Sequence, residues 1–161
     1  MIRGNNRQRI FFSAEYFDRF LEIVAQSAEK FDHKILSYCL MSNHVHLLVY
    51  IHESSLSQIM QYINFRYARW LNQQQNRIDH LFQGRYRSIE VGNDEYLLNL
   101  FRYIHLNPIE ARMVKYVGDY PWSSINYYIR EHRASWIDAD IVILALKNQG
   151  IYDCVEFINT P

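Results

Sequence analysis

The sequence contains few residues that interrupt regular structure or cross-link a chain. Of its 161 residues, 5 are glycine, 3 are proline and 2 are cysteine. So little glycine and proline argues against a loop-rich scaffold and for long helices and strands. Two cysteines, Cys39 and Cys154, are too few for a disulfide framework, and we expect both to be reduced, buried thiols in a cytoplasmic protein.

Long hydrophobic runs are also absent. No apolar stretch approaches the ~18 residues that a bilayer span requires, and no basic-then-apolar leader begins the chain, so the sequence predicts neither a membrane span nor a signal peptide. The composition, 49% hydrophobic and 21% charged, is ordinary for a globular protein and excludes disorder. The length predicts about one domain, which we place at residues 1–130, with residues 131–161 as a helical extension of it.

Net charge is zero as well, with 17 basic and 17 acidic residues, but the charge is unevenly distributed. Residues 64–88 contain five arginines and a single acid, Asp79, and the first ten residues contain three arginines and no acid. A neutral protein with segregated charge can present a cationic face to phosphates. Ordinary solvated helix faces would give the same pattern.

Hydrophobic periodicity predicts an α+β protein. We expect a split-βαβ (ferredoxin-like) antiparallel sheet with helices on one face and a helical C-terminal tail. The strand that should precede the first helix is short or absent, because only two residues precede a polar segment. The predicted elements are a helix after Ser13, strands at 34–40 and 44–51, a helix at 56–71, a strand at 82–91, a helix at 94–106 stopped by Pro108, and short helices at 109–113, 124–130, 140–148 and 152–158.

Two pairs of residues have spacings suited to chemistry. His44 and His46 are two apart on a predicted strand, so both imidazoles share one face and could bind a divalent metal. Tyr103 and Asn107 are four apart on a predicted helix, so a phenol and an amide oxygen also share a face. A metal could compensate for the weak nucleophilicity of a phenol. Solvent-facing histidines and a tyrosine packed in the core remain open alternatives.

Four segments in order resemble the single-tyrosine HUH transposases, and most closely their REP-associated branch with its IS200-like transposase domain. They are Ser-Asn-His-Val-His-Leu-Leu-Val at 42–49, Gly-Arg-Tyr-Arg-Ser at 84–88, Arg-Tyr-Ile-His-Leu-Asn-Pro at 102–108 and Trp-Ser-Ser at 122–124. The resemblance implies that His44, His46 and Asn107 hold Mg²⁺ or Mn²⁺ and that Tyr103 attacks DNA. Members usually have a longer N-terminal stretch containing the first strand.

The resemblance also implies a function. A metal-dependent single-stranded DNA transposase would nick and rejoin DNA near hairpin repeats through a 5′-phosphotyrosine intermediate, as a monomer or a homodimer and without a membrane. A catalytically silent protein that binds DNA hairpins as a repressor is the main alternative, and a metallohydrolase that uses water as nucleophile is another.

The DNA contacts implied by the resemblance and by the arginine distribution fall in three segments. The N-terminal residues look like the family's contacts to the foot of a hairpin or its guide bases. The two other segments are a predicted strand, where two arginines alternate with a tyrosine, and the second long helix. The candidate residues are Arg3, Asn5, Asn6, Arg7, Arg85, Tyr86, Arg87, Arg66 and Arg69.

Overall fold

A computed structural model describes residues 1–130 and 134–160 and gives an α+β fold, as the sequence predicts. Its sheet has three strands in the order β1-β3-β2, and β1 pairs antiparallel with β3. None of the helices in these residues has both the length and the apolar character needed to cross a bilayer. The elements are β1 (Ile2–Arg3), a 3-10 turn (Asn5–Arg7), α1 (Ala14–Phe31), β2 (His33–Met41), β3 (His44–Ile51), α2 (Leu56–Gln74), α3 (Asp94–Glu110), α4 (Asn126–Ile129), α5 (Ala139–Asn148) and α6 (Cys154–Asn159).

The long helices begin where capping residues predict. The side chain of Asn93 accepts a hydrogen bond from the Tyr96 amide at 2.8 Å, and that of Ser55 accepts one from the Ser57 amide at 3.2 Å. Each bond satisfies an amide that has no partner within its own helix. Ser13 occupies the extended position before α1 without such a bond. The expectation of a short first strand is confirmed by β1, which has two residues.

The predicted strand at residues 82–91 is wrong. This segment instead lies irregularly along the N-terminal residues: the Gln83 amide donates to the Arg3 carbonyl at 2.9 Å, and the Arg87 amide donates to the Met1 carbonyl at 3.0 Å. The N-terminal partners Met1 and Arg3 are two positions apart in the sequence, whereas Gln83 and Arg87 are four positions apart. Gly84, with a φ of 70°, turns the chain out of the extended conformation between them.

The prediction that the third helix ends before Pro108 is also wrong. Helix α3 continues through Pro108 to Glu110, so no separate helix occupies residues 109–113. The fixed φ of proline is compatible with a helix, and its missing amide removes one hydrogen bond near the end of α3. The three later helices are observed close to their predicted positions, as α4, α5 and α6.

The structure divides into two compact units, and each contains residues from the strands β2 and β3. The first contains Met1–Lys34, Leu40–Val45 and Tyr50–Ser88. Its core is aromatic: Phe11 stacks on Phe17 with ring centroids 4.4 Å apart and also contacts Phe20 and Tyr67. The buried Tyr67 hydroxyl donates to the Ile10 carbonyl at 2.6 Å. These contacts connect the segment after the N-terminal turn to α1 and α2.

Gly4 lets the N-terminal turn fold closely onto the tip of the β2–β3 hairpin. Its amide donates to the Asn43 carbonyl at 2.9 Å, and the Ile10 amide donates to the Ser42 carbonyl at 2.8 Å. A Cβ at position 4 would lie 2.3 Å from the carbonyl oxygen of Gln8. Because that oxygen belongs to the backbone, it cannot rotate away, so this turn requires glycine.

The second unit contains Ile35–Cys39, His46–Val49 and the chain from Ile89 onward. Helix α3 packs against α5 and α6 within it. Arg102 on α3 donates to the Phe157 carbonyl at 3.0 Å, and its guanidinium lies 4.1 Å from the centre of the Phe157 ring. The C-terminal helices are therefore part of the packing that supports α3.

A buried polar cluster links α3 to β2 inside this unit. The Nδ1 of His105 donates to the Phe101 carbonyl at 2.8 Å, and its Nε2 lies 3.0 Å from the Ser124 hydroxyl. The Ser124 hydroxyl also accepts from the Tyr38 amide at 2.8 Å. Burial lowers the pKa of His105 to about 4, so the ring is neutral at pH 7, consistent with a structural role.

We predict that this histidine makes the protein less stable in acid. Below the ordinary pKa of 6.5 the unfolded chain binds a proton at His105 and the folded chain does not, so the free energy of unfolding falls as the pH falls toward about 4. The loss from His105 is at most about 3 kcal/mol. Urea unfolding across this range should show a smaller decline in His105→Gln. Equal declines in the two proteins would contradict the prediction.

Candidate functional site

The second unit brings Tyr103 against His46. The two rings meet edge to face, with centroids 5.3 Å apart and an angle of 87° between their planes. His46, from β3, is 8% exposed, whereas Tyr103, from α3, is 47% exposed. The alternative of a tyrosine packed in the core therefore does not describe Tyr103. Its phenol is accessible beside an imidazole that the strand holds in place.

Asn107 lies one helical turn after Tyr103. Its side-chain amide donates from Nδ2 to the backbone carbonyl of Tyr103 at 2.7 Å. This hydrogen bond sets the orientation of the amide and makes Oδ1 the side-chain atom that can act as a ligand. The predicted shared face for Tyr103 and Asn107 is thus present at the C-terminal end of α3.

His44 belongs to the first unit, where β1 and the hairpin tip surround it. It stands opposite Arg3 in the antiparallel pairing of β1 with β3. Its Nδ1 lies 2.7 Å from Oδ1 of Asn43, whose Nδ2 in turn donates to the Arg7 carbonyl at 3.1 Å. Because an amide oxygen only accepts, Nδ1 of a neutral His44 holds the proton and Nε2 carries the lone pair.

Electrostatics favours the neutral form of His44. Burial lowers the pKa of its imidazole, and the positive charges of Arg3 and the chain's amino terminus lower it further. A neutral imidazole is the form that binds a metal. Metal-ligating histidines usually donate their other ring nitrogen to a fixed acceptor, and Asn43 provides one here.

Sequence reasoning did not identify this role of Asn43. The signal available was its position directly before the first histidine of the pair. That position alone does not reveal whether the side chain turns toward the imidazole. The orientation of the Asn43 side chain depends on the N-terminal turn, because the Arg7 carbonyl accepts a hydrogen bond from its amide nitrogen.

The predicted N-terminal contacts lie in the first unit, around this hairpin tip. Arg3 is half-buried in β1, and its Nε is buried without a hydrogen-bond partner. Asn5 is half-buried and begins the 3-10 turn. Asn6 and Arg7 are exposed, with φ values of 49° and 58°. The turn therefore presents two polar side chains to solvent while its backbone supports Asn43.

The other predicted contacts lie on two further segments of the first unit. Arg85 and Arg87 are exposed and Tyr86 is half-buried. Because the segment is not a strand, the predicted alternation of these three residues on a strand is wrong. Arg66 and Arg69 are exposed on α2, and Arg66 donates to the Tyr62 hydroxyl at 3.0 Å.

The candidate metal ligands differ from a conventional cluster. Within residues 1–130 and 134–160, no group of three His, Cys, Asp or Glu side chains is arranged to hold a metal. The candidate set contains two imidazoles and one amide. Neither cysteine forms a disulfide; Cys39 is buried and Cys154 is partly exposed. Burial raises the pKa of the Cys39 thiol to about 12, so it is inert.

Comparison with known proteins assigns the chain to a family. Residues 1–107 match the family described as "Transposase IS200 like", a range that includes all four candidate catalytic and metal-binding residues. The chain therefore belongs to the IS200-like transposase family. Over 126 residues it is 25% identical to a protein of Haemophilus influenzae assigned as a REP-associated tyrosine transposase, covering 71% of this chain and 72% of the relative.

A solved structure shares the fold. It is a REP-associated tyrosine transposase bound to a REP hairpin, with a TM-score of 0.67 and 15% identity, covering 87% of this chain and 83% of the other. The likeness extends well beyond the range of the family match and confirms the α+β architecture.

Proposed function

We propose that this protein is a metal-dependent transposase that nicks and rejoins single-stranded DNA beside hairpin repeats, with Tyr103 as nucleophile. The observation that carries the proposal is the exposed phenol of Tyr103 in edge-to-face contact with His46. A nucleophile must be accessible to its substrate and fixed relative to the groups that assist it. The family to which the chain belongs and the hairpin bound by the structural relative both support a DNA substrate.

We further propose His44, His46 and Asn107 as ligands of Mn²⁺ or Mg²⁺. The two-residue period of β3 directs both imidazoles to one face, and Asn107 is joined to Tyr103 by a hydrogen bond. The donor set fits a divalent cation that accepts nitrogen and oxygen together. Imidazole nitrogen suits Mn²⁺ better than Mg²⁺, which favours oxygen ligands. When bound, the cation supplies Lewis-acid polarisation of the phosphate.

The chemistry of the chain's own residues is a transesterification. The Tyr103 oxygen attacks phosphorus in line, and the bond from phosphorus to the 3′ oxygen breaks. The phenol gives up its proton and the leaving oxygen takes one, so the products are a 5′-phosphotyrosine and a free 3′-hydroxyl. The covalent bond keeps the energy of the broken phosphodiester, so a second 3′-hydroxyl can reverse the reaction without ATP.

The proposed DNA contacts lie in three parts of the first unit: around the hairpin tip, at residues 85–87 and on α2. Asn5, Asn6 and Arg7 form the turn that supports Asn43, and Arg3 pairs with the strand that carries His44. Arg85 and Arg87 supply phosphate contacts and Tyr86 a stacking surface. Arg66 and Arg69 extend the cationic charge along α2.

The decisive experiment replaces the nucleophile. Tyr103→Phe removes only a hydroxyl, so the protein should still bind a hairpin-bearing single strand but should form no covalent adduct with it. Purified protein is incubated with Mn²⁺ and the labelled strand, and the adduct is resolved on a denaturing gel. Tyr116→Phe is a matched control on another exposed tyrosine and should retain the adduct.

Each alternative predicts a different result in that experiment. An adduct in Tyr103→Phe would assign the nucleophile to another tyrosine. Hairpin binding by the parent protein without cleavage or adduct would identify the silent repressor. Cleavage with multiple turnover and no adduct would identify a metallohydrolase that uses water.

The proposed ligands predict a graded loss of metal binding. In a Tyr103→Phe background, His44→Ala or His46→Ala should abolish Mn²⁺ binding in calorimetric titrations, and Asn107→Ala should weaken it less, because a neutral amide is the poorest ligand of the three. Asn43→Ala should lower the affinity ten- to a hundredfold by releasing the His44 ring. His80→Ala, at an exposed histidine outside the set, should change nothing; unchanged affinity in the first two variants would refute the assignment.

The proposed role of the arginines predicts a change in salt dependence. Replacing Arg85 and Arg87 with Ala should reduce the slope of log affinity against log salt for single-stranded DNA by about 0.7 for each lost phosphate contact. Replacing the exposed Lys115 and Lys147 provides the control and should leave the slope unchanged. A slope that responds only to the lysine pair would place the DNA elsewhere on the protein.

A further inference from the structure

An open groove on the first unit lies outside the candidate site. It runs between the end of α1 and the first half of α2, has a volume of about 440 Å³, and is lined by Phe31, Gln58, Gln61, Tyr62, Phe65 and Arg66. Binding sites for small ligands span roughly 300 to 1,000 Å³, so the groove can hold one nucleotide. Its lining contains three aromatic rings and no carboxylate.

Two cations flank these rings. The Lys30 Nζ lies 5.0 Å from the centre of the Tyr62 ring and 5.3 Å from that of Phe31. The Arg66 guanidinium lies 5.1 Å from the Tyr62 ring, and its hydrogen bond to the Tyr62 hydroxyl fixes it there. Helix α2 contains no acidic residue. The groove therefore combines positive charge with apolar ring faces.

The ring of Phe65 is available for stacking. It is 66% exposed, and no other aromatic ring of residues 1–130 and 134–160 stacks against it. Helical periodicity places Arg69 on the same stripe of α2, one turn further along. An exposed ring next to arginines combines a stacking surface with positive charge, the two features by which proteins hold single-stranded nucleic acid without reading its sequence.

We propose that this groove binds one nucleotide of a single DNA strand, with its base stacked on Phe65 and its neighbouring phosphates paired with Arg66 and Lys30. The choice of DNA as ligand rests on the proposed function, and the stacking platform adds a site that the chemistry at Tyr103 does not require. Stacking on Phe65 contributes affinity regardless of the base, whereas the hairpin gives the strand its register.

The test measures binding alone, in Tyr103→Phe protein that forms no covalent bond. Fluorescence anisotropy with a labelled oligothymidylate, which forms no hairpin, should show affinity weakened about tenfold by Phe65→Ala, the expected effect of losing one stacked base. Phe65→Trp should preserve the affinity. Tyr152→Ala, at a ring 85% exposed on the C-terminal tail, is the matched control and should bind like the parent.

A second probe separates stacking from charge. A strand of the same length made of abasic sites keeps the phosphates but has no bases, so Phe65→Ala and the parent should bind it equally. Photo-cross-linking of a 5-iodouracil strand should label the α2 peptide that contains Phe65. Unchanged oligothymidylate affinity in Phe65→Ala would overturn the proposal.

Two outcomes distinguish this inference from its rivals. If Phe65→Ala converts a dimer to a monomer in sedimentation while DNA affinity is unchanged, the groove is an interface between two copies of the chain and the proposal is wrong. If the parent forms no adduct at Tyr103 but Phe65→Ala still weakens oligothymidylate binding, the transposase proposal fails and this one stands.

Discussion

The two-residue period of β3 is the constraint on which the candidate site depends. A strand can place residues 44 and 46 on one face only while its backbone stays extended and paired. Strand β1, which pairs with β3 at His44, is only two residues long. The pairing near His44 therefore relies on the N-terminal turn, which is hydrogen-bonded to the hairpin tip through Gly4 and Ile10. Precise placement of an imidazole therefore depends on a backbone turn that itself contains no catalytic group.

The three histidines of the motif segments have different chemical environments. His105 is buried, and hydrogen bonds on both ring nitrogens fix it in the interior, where its charge is unfavourable. His44 is kept neutral by partial burial and by nearby positive charge, with its Nδ1 turned toward an amide oxygen. His46 packs against a phenol. Side chains of one type thus serve as a structural brace and as candidate ligands, according to what surrounds each ring.

Local sequence signals were sufficient for the helices and the hairpin and insufficient elsewhere. Asn93 and the apolar stripe of α2 act within one or two turns, so they could be recognised without tertiary information. The segment at 82–91 has strand-like composition, but Gly84 turns the chain and the partner strand is too short to impose a ladder. Asn-Pro at 107–108 is a common helix stop, yet α3 continues past it to Glu110, because the fixed φ of proline is compatible with a helix.

The same contrast between local sequence signals and tertiary contacts applies to the candidate site. Spacing was enough to single out His44, His46, Tyr103 and Asn107 as candidates, because each pair lies within a single element. Asn43 and the Ser124–His105 hydrogen bond could not be found in that way, because their roles arise from contacts with residues distant in the chain. Ser124 in particular belongs to a segment that carries the family resemblance, yet its hydroxyl holds β2 and α3 together and is buried.

The packing of the C-terminal helices on α3 means that the end of the family match is not the end of the folded unit. The match to the family ends at Asn107, in the last turns of α3, whereas Arg102 is anchored to Phe157 some fifty residues later. A recombinant fragment ending at the family boundary would contain every candidate catalytic residue but would expose the apolar flank of the helix that bears Tyr103. Grafting or domain fusion must therefore carry the tail along with the motif.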